Sequence, residues 1–429
     1  MGACRLDRPE WVCFGRRALR ILFLNPVGVL GGAERALLDL LACLRTLEPA
    51  LSLHLLAGTE GPLLEEARAL GVRARLLPLP ERLSALGDSG LREGGAGAMW
   101  GFARGLAPAP TLLAGYLRQL RREVRALRPH LLHSNGIKTH LLSPATLGLG
   151  IPSVWHIHDF IGERPLVRQG LRALRPLAAA AIANSRAVGA DAREVLGPVS
   201  VHVVYNGVNV ERFAPGPGEG GRLDRLAGLD EAPEGTVRIG LVATYARWKG
   251  HEVFLQAAAE LLRASPVLPV RFYLVGAPLY RTKDSQFSVE EIRGLVERLG
   301  LSGRVGLVPF QQEPAAVYRA LDVFVHASTR REPFGLTIAE AMACGRPAII
   351  SRASGAAEQL TDGVDALTLP SGDAQALAGA LRRLTEDAGL RERLGQAARR
   401  TAVEHFSRER YAREVLEVYR GLVRGEDSP

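Results

Sequence analysis

The chain has 429 residues, of which 47% are hydrophobic and 23% are charged. This composition excludes wholesale disorder, and the length exceeds what one hydrophobic core usually supports, so we expect two folded domains. The four cysteines show no C-x-x-C spacing and no accompanying histidine cluster, which argues against a zinc site or a disulfide framework and favours a reducing compartment.

No segment has the pattern of a membrane anchor. The first apolar run, residues 21–24, ends at Asn25-Pro26 and is too short for a secretory signal. No later run reaches the length of a membrane-spanning helix. We therefore expect a cytoplasmic protein.

The net charge of +9 lies entirely in residues 1–212, which hold 26 Lys and Arg against 17 Asp and Glu. Arginines recur there at helical spacing, at Arg118, Arg121, Arg122, Arg125 and Arg128, and again at Arg164, Arg168, Arg172 and Arg175. Such a surface suits an anionic acceptor or peripheral contact with the anionic inner face of a membrane. A solvated helix face explains the same pattern equally well.

Short apolar strands alternate with helical patterns through the first half of the chain, at residues 20–25, 52–57, 131–134, 153–157, 181–184 and 201–205. The alternation resumes after a Gly- and Pro-rich stretch, at residues 237–243, 270–275, 304–309, 322–326 and 347–351. This rhythm predicts βαβ units and parallel sheets. We expect an α/β protein with two domains whose facing strand ends form one ligand-binding cleft.

The predicted organisation has five parts. They are an N-terminal extension (1–18), a first domain (19–212) with a mobile loop at 80–110, a linker (213–235), a second domain (236–404) and a C-terminal helix (405–429). The C-terminal helix has an apolar stripe at Tyr411, Val415, Val418, Tyr419 and Leu422. We expect this stripe to pack back on the first domain.

The most informative segment is residues 331–347, REPFGLTIAEAMACGRP, which lies between two predicted strands. A turn at Pro333 and Gly335 leaves backbone N–H groups unpaired at the start of the next helix, and such groups suit the phosphates of a nucleotide diphosphate. Glu332 lies just before the turn, and Glu340 lies one turn or slightly more into the helix. Carboxylates at these two positions can accept hydrogen bonds from ribose and sugar hydroxyls.

This segment resembles the signature of the retaining glycosyltransferases of family 4, which have the GT-B fold of two Rossmann-like domains. The signature consists of two glutamates separated by seven residues, here Glu332 and Glu340, followed by Gly345-Arg346-Pro347. The glycine loop containing Gly31 and Gly32 and the segment Arg247-Trp248-Lys249-Gly250 also match the family. The resemblance covers most of the chain.

The resemblance implies an enzyme that moves a sugar from a nucleotide-diphosphate sugar to a glycan, lipid-linked or small-molecule acceptor, with retention of anomeric configuration. It implies no metal ion and no cofactor beyond the nucleotide sugar, and it suggests a role in cell-envelope polysaccharide biosynthesis. Lys249 would bind the donor diphosphate at a helix start formed by Phe334, Gly335 and Leu336. Glu332 would orient the donor sugar, and Glu340 would orient the ribose.

The chain departs from the family at one donor position. An arginine usually precedes the lysine by five or six residues, where this chain has Ala243 and Thr244. We include Thr244 and Arg247 among the candidate donor-binding residues. The sequence leaves open whether Arg247 reaches the phosphate that the missing arginine would contact.

The resemblance also assigns a sugar and acceptor side to the first domain, formed by Gly31, Gly32 and residues at two strand ends. We expect His158 to face the pocket, with His133 or Asn135 beside it. A structural role in the core is the alternative for any one of these histidines. The candidate catalytic residues are therefore Glu332, His158 and Lys249.

Four other functions are compatible with parts of the pattern. A nucleotide-sugar epimerase or a phosphorylase would share the GT-B architecture. A dinucleotide-dependent oxidoreductase needs Gly-x-Gly-x-x-Gly after a strand, and neither candidate glycine loop has it. A basic nucleic-acid-binding protein is suggested only by the high isoelectric point, since no recognition motif accompanies it.

Overall fold

A computed structural model of the protein describes residues 19–81, 109–278 and 285–423. The proposed N-terminal extension (1–18) and nearly all of the proposed mobile loop (82–108 of 80–110) lie outside these described residues. Within them the chain forms two parallel sheets, and hydrophobic clusters pack helices against both faces of each sheet. The predicted fold class is confirmed.

The first sheet has the strand order β3-β2-β1-β4-β5-β6-β7, and all of its pairings are parallel. Its strands are β1 (Arg20–Asn25), β2 (Ser52–Ala57), β3 (Arg73–Leu76), β4 (Leu131–Asn135), β5 (Ser153–Ile157), β6 (Ala180–Ala183) and β7 (Val201–Val203). The helices that connect them are α1 (Gly32–Leu47), α2 (Pro62–Ala69), α3 (Ala109–Leu127), α4 (Ile137–His140), α5 (Pro165–Leu174) and α6 (Arg186–Leu196). The strand order reverses between β1 and β4, where a ligand crevice is expected.

The second sheet has the order β10-β9-β8-β11-β12-β13, again all parallel. Its strands are β8 (Val237–Val242), β9 (Val270–Val275), β10 (Val305–Val308), β11 (Val323–His326), β12 (Ala348–Ser351) and β13 (Leu367–Leu369). Its helices are α7 (Gly220–Leu226), α8 (His251–Ala264), α9 (Val289–Arg298), α10 (Pro314–Ala320), α11 (Leu336–Ala343), α12 (Ala374–Glu386), α13 (Ala388–His405) and the final α14 (Arg408–Val423). In the described part of the chain, no helix is long and apolar enough to cross a bilayer.

The strands are buried on both faces, which explains their continuous apolar sequences. In β1, Ile21 and Phe23 point into a core shared with α1, α2 and α14. Leu22 and Leu24 point to the opposite side and pack against α3. Polar side chains can therefore lie at the carboxyl ends of these strands, outside the hydrophobic cores on the two faces of the sheet.

The predicted linker, residues 213–235, differs from expectation because it contains helix α7. Leu223 is buried in a cluster with Tyr273 and Val275. The carboxylate of Asp224 accepts hydrogen bonds from the hydroxyl of Tyr273 at 2.5 Å and from Arg271 at 2.6 Å. These contacts make α7 part of the second domain, which the Gly- and Pro-rich composition around it concealed.

The last helix returns to the first domain. Tyr411, Val415 and Tyr419 on α14 are buried in the core that contains β1 and α1. A parallel β-bridge joins Val208 to Ser407, so the two segments that cross between the domains run side by side. This arrangement ties the positions of the two domains to each other.

Candidate active site

The start of α11 is the centre of the candidate site. Gly335 precedes the helix with a φ of 98°, in the left-handed region that favours glycine. No side chain caps the helix, because a glycine stands at the capping position. The first backbone N–H groups of α11 are thus available to an anion, and the positive end of the helix dipole points toward it.

Glu332 lies just before this turn and is buried in a charged cluster. Its Oε1 lies 2.5 Å from Lys249 Nζ. Its Oε2 lies 2.7 Å from His326 Nε2 and accepts a hydrogen bond from Ser328 Oγ at 2.6 Å. Burial by itself would raise the pKa of Glu332, but Lys249 and His326 hold this pKa well below the ordinary value. Glu332 is therefore a fixed anion at neutral pH.

Lys249 reaches this cluster from a short 3-10 turn (Arg247–Lys249) after β8. Gly250 follows with a φ of 82°, and a Cβ at this position would lie 1.9 Å from the carbonyl oxygen of Ala327. Only glycine permits this close approach of the turn to the end of β11. The Lys249 ammonium also lies over the Trp248 ring, 4.2 Å from its centroid.

Glu340 lies one turn further into α11 and is also buried. Its Oε2 accepts a hydrogen bond from the Tyr318 hydroxyl at 2.7 Å. Burial raises the pKa of Glu340, while the bond from Tyr318 and the positive charge of Arg35 act in the opposite direction. Among the described residues Oε1 of Glu340 has no hydrogen-bond partner.

The glycine loop of the first domain faces the start of α11. A Cβ at Gly32 would lie 3.6 Å from Cδ1 of Leu336, the first residue of that helix. Gly31 and Gly32 both keep some solvent exposure, as does Leu336. The helix start therefore opens on the gap between the two domains. Phe334 points away from this gap into the core, where its ring lies 5.6 Å from that of Phe406.

His158 and Asn135 come together at the carboxyl edge of the first sheet. His158 Nε2 lies 2.7 Å from Asn135 Oδ1. Burial lowers the pKa of His158 to about 4, so the imidazole is neutral at pH 7. Its Nδ1 is buried and has no hydrogen-bond partner among the described residues.

The structure places His133 in the core, the alternative that the sequence left open for each of these histidines. This side chain is fully buried, its Nδ1 lies 2.6 Å from the Tyr419 hydroxyl, and its Nε2 lies 3.2 Å from His156 Nδ1. His133 lies on β4 and packs against Tyr419 of α14, so it helps to hold the last helix on the first domain. Burial also lowers its pKa, to about 3.

The guanidinium of Arg247 is held by other residues and not by the start of α11. It bonds Glu291 at 2.5 Å and stacks over the Phe287 ring at 4.2 Å. Thr244 is half-buried in the loop after β8. Lys249, which pairs with Glu332, is a cation that the second domain presents beside the start of α11.

Several residues of the site were not identified from sequence. His326 and Ser328 contact the carboxylate of Glu332. Both lie at or just after the end of β11, directly before the motif, and this position could have identified them from the sequence. Glu358 of the second domain accepts hydrogen bonds from the backbone N–H groups of Arg186 and Ala187, at 2.7 and 2.9 Å, at the start of α6 in the first domain. Only the tertiary structure reveals this contact.

Comparison with known proteins finds solved structures that share the fold of almost the whole chain and family models that match parts of it. The chain has the GT-B arrangement of two parallel-sheet Rossmann-like domains. HepE of Anabaena, in complex with UDP and glucose, superposes with a TM-score of 0.73 at 23% identity, covering 94% of this chain and 99% of that one. Sucrose-phosphate synthase of Thermosynechococcus elongatus gives a TM-score of 0.72 at 21% identity, covering 95% and 100%.

Residues 30–212 match the model of Glycosyltransferase Family 4, and residues 230–401 match that of Glycosyl transferases group 1. The two matched regions correspond to the first and second domains of the structure. It is 33% identical over 176 residues to a D-inositol 3-phosphate glycosyltransferase of Segniliparus rotundus, and 32% identical over 209 residues to one of Rhodococcus erythropolis. These alignments cover 41% and 48% of this chain, and 36% and 44% of the relatives' own length.

Proposed function

We propose that this protein is a retaining glycosyltransferase that transfers a sugar from a nucleotide-diphosphate sugar to an acceptor hydroxyl. The observation that carries the proposal is the Lys249–Glu332 pair beside an uncapped helix start that faces the glycine loop of the first domain. The two family matches support it, as does the similarity in fold to a protein whose structure contains UDP and glucose. The E-x7-E pattern of Glu332 and Glu340 supports retention.

The diphosphate of the donor would bind at the start of α11. When the bond between the anomeric carbon and the phosphate oxygen breaks, negative charge accumulates on the departing diphosphate. The N–H groups of Leu336 and Thr337 and the ammonium of Lys249 would stabilise this charge. Because Glu332 already holds Lys249 in place, little reorganisation is needed when the donor arrives.

The two glutamates would bind the rest of the donor. Glu340 has Oε1 left for a ribose hydroxyl, since Tyr318 occupies Oε2. Glu332 is kept ionised by its neighbours and would accept a hydrogen bond from a hydroxyl of the donor sugar. His158, neutral at pH 7, would accept a hydrogen bond from a sugar or acceptor hydroxyl at its free Nδ1.

The acceptor would reach the site from the side of the first domain, and we include a lipid-linked acceptor among the candidates. Arg122 and Arg125 are exposed on α3, and the neighbouring Arg121 donates a hydrogen bond to the carbonyl oxygen of Leu147. Leu147 and Leu166 are 61% and 56% exposed. Arginines next to exposed leucines suit the headgroup region of an anionic membrane.

The test is to incubate the protein with a panel of nucleotide sugars and to measure the thermal midpoint and the release of nucleoside diphosphate, with and without EDTA. We expect one nucleotide class to raise the midpoint and to release diphosphate in the presence of an acceptor, equally well in EDTA. Failure of the whole panel to stabilise the protein would refute the proposal. An epimerised sugar nucleotide without acceptor would favour an epimerase, and phosphate-dependent cleavage of a glycan would favour a phosphorylase.

A further inference from the structure

A continuous line of hydrogen bonds leads from the glycine loop to His158. Glu34 Oε2 accepts from the backbone N–H of Gly31 at 3.1 Å, and Glu34 Oε1 accepts from Asn25 Nδ2 at 3.2 Å. Asn25 Oδ1 accepts from Asn135 Nδ2 at 2.7 Å. Asn135 Oδ1 then lies 2.7 Å from His158 Nε2. We call these four side chains, Glu34, Asn25, Asn135 and His158, the polar relay.

The direction of every bond in the polar relay is set by groups that can only accept. The backbone carbonyl oxygen of Val27 can only accept a hydrogen bond, so the Asn25 side-chain atom that lies 2.6 Å from it must be Nδ2. Asn25 must therefore present its Oδ1 to Asn135. Asn135 in turn places its Nδ2 toward Asn25 and the carbonyl of Ala33, which leaves Oδ1 for His158.

The last step fixes the imidazole. Because Asn135 Oδ1 can only accept, His158 Nε2 must hold the ring proton, and Nδ1 must then be the bare nitrogen of the neutral ring. That nitrogen is buried and has no partner among the described residues. Asn25, Asn135 and Glu34 are themselves nearly fully buried, so water does not compete strongly for these bonds.

We propose that Asn25 and Glu34 are positioning residues that hold His158 in the Nε2–H tautomer, so that its Nδ1 binds a hydroxyl of the substrate and not a carbonyl or phosphate oxygen. The inference rests on the proposed function for the identity of that hydroxyl. The tautomer itself does not depend on the function. Because Gly31 belongs to the loop that faces α11, the polar relay also links the donor side of the cleft to His158.

The tautomer is measured directly from the ring nitrogen chemical shifts of protein labelled with 15N-histidine. The His158 signals are assigned from the spectrum of the His158→Phe variant. We expect the wild-type protein to show one His158 species, with Nε2 protonated and Nδ1 bare. A predominant Nδ1–H form, or a mixture of the two forms, would overturn the proposal.

The Asn25→Leu variant tests the positioning role, and Asn184→Leu is its matched control. Both asparagines are nearly fully buried at the carboxyl ends of strands in the same sheet, but Asn184 is not part of the polar relay. We expect Asn25→Leu to give a mixture of tautomers and to lower turnover about tenfold or more. Asn184→Leu should retain the wild-type tautomer. Equal tautomer spectra for the two variants, mixed or unmixed, would overturn the proposal.

The Glu34→Gln variant keeps the size of the side chain and allows an amide to face Asn25, so it should introduce a smaller share of the second tautomer than Asn25→Leu. If the wild-type protein shows the expected tautomer but no sugar transfer with any nucleotide sugar, the proposed function fails and the positioning of His158 stands. If transfer is present and Asn25→Leu leaves the tautomer unchanged, the positioning role fails and the function stands.

Discussion

Lys249 and Glu332 keep each other in place before any ligand is bound. Both side chains are largely buried and lose hydration. The carboxylate of Glu332 stays ionised because Lys249 Nζ lies 2.5 Å from one of its oxygens and because His326 and Ser328 bond the other. An arriving diphosphate then meets a cation whose side chain is already ordered. This saves the entropy that a free lysine would lose on binding.

At the residue scale we predict that Lys249→Ala weakens binding of the nucleoside diphosphate selected by the panel by about 10- to 100-fold, since a charge-assisted hydrogen bond contributes about 1.5 to 3 kcal/mol. Arg247→Ala is the matched control from the same 3-10 turn, because its guanidinium is held by Glu291. Calorimetric titration of both variants measures the difference. Equal losses of affinity in the two variants would contradict the role given to Lys249.

The relative positions of site residues that are close together in the sequence could be predicted. The positions of residues that only packing brings together could not. Glu332, Gly335 and Glu340 belong to one short motif, so their relation to a helix start was readable in advance. His133 and Asn135 lie on the same face of β4, and the sequence did not show that α14 covers the first of them. The structure shows this through Tyr419, which lies 286 residues further along the chain.

At the scale of elements, the carboxylate of Glu358 in the second domain accepts hydrogen bonds from the start of α6 in the first domain. Glu358 accepts from two backbone N–H groups of α6 and from the hydroxyl of Tyr205 at 2.7 Å. The guanidinium of Arg186 in turn donates to the backbone carbonyl of Glu358 at 2.6 Å. An anion at a helix start is stabilised by the helix dipole, so this contact favours the arrangement of domains seen here.

We predict that Glu358→Ala shifts the protein toward more open arrangements, because it removes the carboxylate that bonds two N–H groups at the start of α6 and the hydroxyl of Tyr205, and each such bond contributes about 1 kcal/mol. Small-angle scattering should show a larger radius of gyration, and the thermal midpoint should fall. Glu194→Ala is the control, since that carboxylate pairs with Arg168 inside the first domain. An unchanged radius of gyration for Glu358→Ala would count against this contact as a determinant of domain position.

The order of elements was predictable from the alternation of apolar strands and helices, but some small elements were not. Strands β3 and β13 are four and three residues long, and β3 contains two arginines, so neither has the apolar run that marks the central strands. Helix α7 was hidden by the glycines and prolines around it. Each of these elements takes its conformation from neighbours that are distant in sequence.

At the scale of the whole molecule, the excess positive charge lies in residues 1–212, so we predict salt-sensitive binding of the protein to vesicles that contain anionic lipid. Replacing Arg118, Arg122 and Arg125 of α3 with Gln should weaken this binding, since each basic residue near the surface contributes about 1 kcal/mol. Replacing Arg298, Arg382 and Arg400 of the second domain, which are also exposed, is the control. Equal recovery with neutral and anionic vesicles at low salt would contradict the prediction.

The central claim is that a nucleoside diphosphate binds where α11 begins, in the gap that Gly32 and Leu336 border. The most direct measurement is a crystal structure of the protein soaked with UDP or with the nucleotide selected by the panel. The account predicts the diphosphate within hydrogen-bonding distance of Lys249 Nζ and of the backbone N–H groups of Leu336 and Thr337, with the ribose beside Glu340. A diphosphate bound elsewhere, with the start of α11 free, would contradict it.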